Sequence, residues 1–286
     1  MNKKTLKVLL KLLISVALLY VVYRKINFGD LVTTYKTTNI TLLVLGSLFF
    51  VSSQFVSSFR LNYIFHQSNF KLSQKSNLKL YFVGMFYNFF IPGGIGGDAY
   101  KIYLLNKRFH WKIKKITQNV LIDRLVGLIA IILIAVIIAC QLFIKASWSL
   151  ILGIAIAILI YFIVKMLITK LFMKNFNIIY PKSLLYSIAI QLLQILCVYF
   201  ILASIGIDSN MMSYFLVFLV SSVASVISFS GFGAREYIFF QAAVYLGTDT
   251  AMATSIGLTF NMITALISLF GLFFLVKKID LKLIST

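Results

Sequence analysis

Acidic side chains are scarce in this sequence. Seven Asp and Glu stand among 286 residues, against 27 Lys and Arg, and charged residues of either sign make up only 12% of the chain. Soluble globular chains carry about 25% charged residues, so an ordinary soluble domain is excluded. Cysteine, histidine and proline number two each. Cys140 and Cys197 lie inside apolar runs and read as small core residues, with no disulfide or metal spacing. His66 and His110 stand singly in basic stretches. No HExxH, CxxC or P-loop pattern occurs, which removes the usual anchors of soluble-enzyme chemistry. The expectation is no metal and no cofactor.

What the chain has is apolar length. It is 61% hydrophobic, and apolar runs long enough to span a bilayer recur from end to end, as in a polytopic membrane protein. The polar connections are loop-sized, so residues 1–286 read as one integral-membrane domain with halves 1–144 and 145–286. A net charge of +20 would suggest nucleic acid in a soluble protein. Here the cations have a simpler role: they sit in loops and set topology, and they favour an anionic lipid surface by about 1 kcal/mol per residue near it. No nucleic-acid partner is expected. Lys/Asn/Ile-rich usage points to a bacterial cell membrane.

Lys3, Lys4, Lys7 and Lys11 precede an apolar run ending at Tyr23. Val21-Val22-Tyr23-Arg24 lacks the small residues of a cleavage site, so Leu6–Tyr23, about 27 Å as a helix, is expected to remain as a first span. Further spans are predicted over Ile40–Phe59, Val120–Ile144, Trp148–Leu167, Ser183–Ser204 and Ala251–Val276. Arg60–Lys79 and Lys101–Gln118 read as basic loops.

Two apolar segments are broken by glycine. The first reads Asn88-Phe89-Phe90-Ile91-Pro92-Gly93-Gly94-Ile95-Gly96-Gly97-Asp98-Ala99-Tyr100-Lys101. The second, Ser230-Gly231-Phe232-Gly233-Ala234-Arg235-Glu236, lies 137 residues later. Leu80–Ile91 makes about 18 Å of helix against about 30 Å of hydrocarbon, and both its flanking loops are basic. It therefore reads as a hairpin re-entering from the cytoplasm. The second break, flanked by Asp208 and Asp249, reads as a hairpin from outside. The predicted fold is thus an all-α polytopic membrane protein of about six full spans plus two re-entrant broken helices, an inverted repeat with both termini cytoplasmic. Only Arg24, Lys25, Lys36 and Lys145 then lie outside. Kinked full spans are the alternative. Interrupted helices of opposite entry form substrate sites near the midplane, where irregular backbone must be buried or line a cavity.

The candidate binding residues follow from that geometry. Gly93, Gly94, Gly96, Gly97, Gly231 and Gly233 let the backbone turn and a ligand approach. A half-helix starting after Gly97 would aim free N–H groups at an anion such as phosphate. Asp98 and Lys101, at i and i+3, read either as a self-neutralising pair or as a head-group or proton site. Arg235 has the planar fork suited to phosphate; Glu236, its neighbour, points elsewhere on a helix. Asp123 and Arg124, at a span entrance, read as a topology charge with a local partner or as site residues. Gln191, Gln194 and Asn261 read as interhelical glue or site residues, and Asn88 as a cap for freed backbone groups. Gly127, Gly153, Gly257 and Gly271 read as close-packing positions.

Three stretches resemble the lysylphosphatidylglycerol synthase transmembrane region, a flippase-like family that includes the N-terminal half of the multiple peptide resistance factor. They are Phe90–Lys101, Leu121-Ile122-Asp123-Arg124-Leu125-Val126-Gly127-Leu128 and Gly231-Phe232-Gly233-Ala234-Arg235-Glu236. Lys101 stands where the family often has arginine, and Phe229-Ser230-Gly231-Phe232 where it often has Pro-Gly-Gly. The resemblance implies translocation of a membrane lipid, either an anionic phospholipid or a polyprenyl-phosphate-linked sugar. The soluble aminoacyl-transfer domain is absent from these residues, so lysyl transfer does not follow. An integral-membrane transferase is the alternative, with Asp98 or Glu236 as base, although Asp-x-Asp metal ligation is missing. An accessory subunit for an envelope-glycan enzyme is a third reading.

Overall fold

The computed structural model of the protein describes residues 36–90, 95–171, 176–225, 233–277 and 279–284. The expected first span, Leu6–Tyr23, lies outside the described residues. Among those described, the chain is helical, with one isolated β-bridge between Leu72 and Leu283. The helices are α1 (Ile40–Gln67), α2 (Gln74–Phe90), α3 (Gly96–Phe109), α4 (Ile113–Phe143), α5 (Ser149–Leu171), α6 (Phe176–Ser204), α7 (Met211–Ala224), α8 (Ala234–Leu246), α9 (Thr250–Ser268) and α10 (Phe270–Val276).

Five helical stretches among these residues are long and apolar enough to cross a membrane: α1, α4, α5, α6, and α9 continued by α10. This is a multi-pass membrane protein. Its outer surface is apolar: Leu48, Phe55, Ile151, Ile158, Phe162, Leu185 and Leu192 are all exposed. In water such a continuous surface would mark an interface; here it is the face for lipid. Helix α5 is the most peripheral, and it docks on α4 through Gly153, whose Cα side lies against Ile137 and Cys140. Small residues at this contact let two backbones approach where hydrophobic driving force is missing.

Several helix ends are set by caps rather than by hydropathy. The Asn39 side chain accepts from Leu42 N–H at the start of α1. Asp249 Oδ1 accepts from Ala251 and Met252 N–H at the start of α9, at 2.7 and 3.0 Å. His110 and Gly247 adopt left-handed conformations and close α3 and α8, as residues beyond a helix C-terminus commonly do. This explains where the predicted loops differ. Helix α1 runs on through Arg60 to Gln67, and α3 through Lys101 to Phe109. Lys, Arg, Asn and Gln do not break a helix; they only mark where hydropathy falls.

Helices α1 and α6 form the central antiparallel pair, with Gly46 against Cys197 and Phe200 at one end and Arg60 bonded to Ser187 nearer the other. An apolar core of Phe50, Phe82, Cys197, Phe218 and Phe260 lies between them and α2, α7 and α9. At the opposite end Leu61, Phe65, Leu72, Leu80, Leu105 and Ile116 form a second core, which Leu281 of the C-terminal tail enters. Trp111 stacks on Phe70 with ring centroids 4.3 Å apart. The connection before α2 and the connection after α3 therefore meet at that end.

Candidate functional site

Helices α2 and α3, on either side of the first glycine break, pack closely. Gly97 lies so close to the Gly84 carbonyl that no Cβ fits between them, and Gly84 in turn packs under the Lys101 side chain. The Asn88 side chain accepts the Gly97 N–H at 2.8 Å, satisfying one free donor at the start of α3. Gly96 opens that helix. Gly93, Gly94 and Gly231 lie outside the described residues.

Asp98, in the first turn of α3, binds two cations. Lys101 Nζ approaches its Oδ1 at 3.3 Å, and Arg124 Nε of α4 donates to its Oδ2. Lys101 is buried and also sits over the Tyr81 ring, 4.9 Å from its centroid. The Arg124 side chain stays 40% exposed. The cluster carries one more positive than negative charge, next to the positive end of a helix. It can hold an anion.

Asp123 and Arg124 are neighbours in sequence with separate partners. Asp123 takes two hydrogen bonds from Arg60 of α1, at 2.7 and 3.1 Å. Arg60 Nη1 also donates to Ser187 of α6 at 2.8 Å. The reading of Asp123-Arg124 as a charge with a local partner is corrected: each partner comes from another helix. Arg60, the first residue of the expected basic loop, is instead buried within α1, with Gly127 leaving room for its guanidinium. The signal that could have found it is the small and polar series Ser53, Gln54, Ser57, Ser58 and Arg60, which repeats at helical spacing and is buried throughout.

The second break leads into α8. Gly233 has φ 81°, a backbone conformation that favours glycine. The Glu236 carboxylate reaches back to the Gly233 N–H at 2.8 Å, half of a capping box. Glu236 Oε1 accepts from Asn261 Nδ2 at 2.8 Å, and Arg235 Nη1 donates to Asn261 Oδ1 at 2.6 Å. One carboxamide on α9 thus connects two adjacent side chains of opposite charge. Arg235 is buried between Phe218 and Phe260, its guanidinium carbon 5.6 and 4.5 Å from the ring centroids. Its Nε–H has no hydrogen-bond partner among the described residues. Gly257 leaves space for its stem.

Gln191 is buried on α6 one turn beyond Ser187, with its Oε1 unpartnered among the described residues, and Gln194 is half-buried. The structure thus gathers Asn88, Gly97, Asp98, Lys101 and Arg124 in one cluster, and Gly233, Arg235, Glu236 and Asn261 in another. Asp123 belongs to a third, with Arg60. Among the described residues His, Cys, Asp and Glu make no group of three or more that could hold a metal ion.

No curated protein matches the sequence significantly. The profile of the lysylphosphatidylglycerol synthase TM region matches residues 8–271. That span takes in both glycine breaks and every charged pair described above. The chain belongs to the lysylphosphatidylglycerol synthase TM region family, as a membrane-embedded protein.

Proposed function

We propose that this protein moves a phosphate-bearing lipid between leaflets of a bacterial cell membrane, the lipid being an anionic phospholipid or a polyprenyl-phosphate-linked sugar. The observation that carries the reading is the Asp98–Lys101–Arg124 cluster, where two cations share one carboxylate at the start of a half-helix. Intramembrane ionisable groups cost several kcal/mol unless they are used or paired, and here one positive charge is in excess. The half-exposed Arg124 is the side from which a head group enters. Arg235, with an unpaired Nε–H beside aromatic rings, is the second phosphate-competent group. Asp98 and Glu236 balance charge or relay a proton.

Two further observations support hairpins of opposite entry related by an inverted repeat. Asp98 pairs with Arg124, and Arg235 with Asn261, each across 26 residues. The second pair follows the first by 137 residues at both ends (98 to 235, 124 to 261). The stacking of Phe70 on Trp111 puts both outer ends of the α2–α3 hairpin at one end of the bundle, as a re-entrant element requires. The basic connections put that end in the cytoplasm.

Leaflet exchange of a fluorescent phosphatidylglycerol in proteoliposomes tests the reading. Arg124→Ala and Arg235→Ala are each expected to lower the exchange rate by about tenfold or more, the loss of one phosphate contact. Asp98→Ala is expected to lower it by releasing Lys101 and Arg124 from their positions. Each rate is read on the fraction that elutes as folded protein. Unchanged exchange in Asp98→Ala and Arg235→Ala would overturn the site.

A further inference from the structure

A second polar site lies away from both hairpin clusters. At the basic end of the bundle a cavity of about 180 Å³ is lined by Gln67, Ser68, Asn69, Lys115, Gln118 and Asn119, with Ile179 on one wall. Three segments make it: the end of α1, the first two turns of α4 and the start of α6. Its volume is below the roughly 300–1,000 Å³ of drug-sized pockets, so it suits one small polar group.

The deepest of these side chains is incomplete. Asn119 is 0% exposed. Its Oδ1 accepts the Ser68 hydroxyl at 2.8 Å, which leaves the Nδ2 donor, and that donor has no partner among the described residues. A buried amide donor without a hydrogen bond is costly, and a ligand oxygen would remove that cost. The surroundings select the charge of the ligand. Lys115 stands at the mouth, in the first turn of a 31-residue helix whose positive end lies there. No acidic residue lines the cavity, and the sequence has none between Asp98 and Asp123.

We propose that this cavity is an anion site for a phosphate group, held by the Asn119 amide, the Lys115 ammonium and the start of α4. It is separate from the transport site and does not depend on it. Two sources supply the same chemistry: the phosphodiester of an anionic lipid in the adjacent leaflet, or a free phosphate ester from solution. Occupancy would tie α1, α4 and α6 together at this end.

Binding, rather than exchange, tests it. The full chain in nanodiscs of phosphatidylcholine is titrated with phosphatidylglycerol, and the full chain in neutral detergent with inorganic phosphate and glycerol 3-phosphate, read by native mass spectrometry. Lys115 is exposed, so Lys115→Gln keeps the fold. It is expected to weaken binding about tenfold, a loss of about 1.4 kcal/mol, and Asn119→Leu at least as much. Lys114→Gln, in the same turn but outside the cavity, is expected to bind like the parent. Saturable phosphatidylglycerol binding lost in Lys115→Gln assigns the site to a lipid head group. Saturable phosphate or glycerol 3-phosphate binding lost in the same variant assigns it to a soluble ester. No saturable binding of any probe, or equal loss in Lys115→Gln and Lys114→Gln, overturns the proposal.

Discussion

Arg60 and Asp123 are 63 residues apart and share two hydrogen bonds, with side chains only 9% and 12% exposed. This pair fastens α1 to α4, and Ser187 extends it to α6. Removing one partner leaves a buried charge uncompensated, at about 3–5 kcal/mol, whereas replacing both with apolar residues of similar size is often neutral. Arg60→Ala and Asp123→Ala are therefore expected to lower the thermal unfolding midpoint sharply. Arg60→Met combined with Asp123→Leu is expected to recover most of it. A double variant as unstable as the singles would show that the pair has a role beyond charge compensation.

Gly84 and Gly97 face each other in the first hairpin but predict different outcomes. A methyl group at Gly97 meets the backbone carbonyl of Gly84, which has no rotamer to give. A methyl at Gly84 meets the Lys101 stem, which is flexible. Forcing atoms into a packed contact costs about 1–3 kcal/mol where nothing can shift. Gly97→Ala should thus reduce the yield of folded protein far more than Gly84→Ala. Size-exclusion profiles of the two variants make the comparison, and equal profiles would contradict the close approach.

Legibility differed between the hydropathic and the polar parts of the chain. The membrane-length helices announce themselves because apolar runs have no other stable place. The glycine breaks are legible because Gly and Pro interrupt such runs. Partner choice is not legible: Asp123-Arg124 looks like a local pair, yet a helix directs adjacent residues about 100° apart and hands each to a different neighbour. Arg60 was hidden for a related reason. Hydropathy places a cation at a loop, while its carboxylate partner stands 63 residues away. Tyr81 and Gly84 carry no signal at all until α2 and α3 are folded against each other.

Asn261 hydrogen-bonds both Arg235 and Glu236. Leucine has nearly its shape and none of its hydrogen bonds, so Asn261→Leu strands two buried charged groups. A loss of about 2–5 kcal/mol is expected, visible as a large drop in the unfolding midpoint. Glu236→Gln keeps one oxygen for the Gly233 N–H, as glutamine does in a capping box, but sets its NH2 against Asn261 Nδ2, two donors face to face, at about 1–3 kcal/mol. It is expected to remain folded with a lowered unfolding midpoint. If Glu236 carries charge or a proton during transport, exchange by the folded Glu236→Gln protein falls. Parent-like exchange would confine Glu236 to capping and to its bond with Asn261.

The opposite entry proposed for the two hairpins yields the sharpest topological prediction. In a membrane-spanning pair of helices, the beginning and the end of the pair lie on the same side only if the pair turns back. Trp111 after α3 stacks on Phe70 before α2, and Arg108 of α3 faces Asp280 of the tail at 3.6 Å. Those three connections therefore share one side, which under the proposed topology and the positive-inside rule is the cytoplasm. At the other end Asn39 N–H bonds the Ser204 carbonyl, so the start of α1 and the end of α6, which leads into α7, share the opposite side. Helix α8 returns beside α7 and ends at Gly247. In a background with Cys140→Ala and Cys197→Ala, Lys107→Cys is then expected to resist an impermeant thiol reagent applied to whole cells. Thr248→Cys is expected to react. Labelling of both from outside, or of neither, is incompatible with hairpins entering from opposite faces, because in the proposed repeat the two positions end corresponding elements.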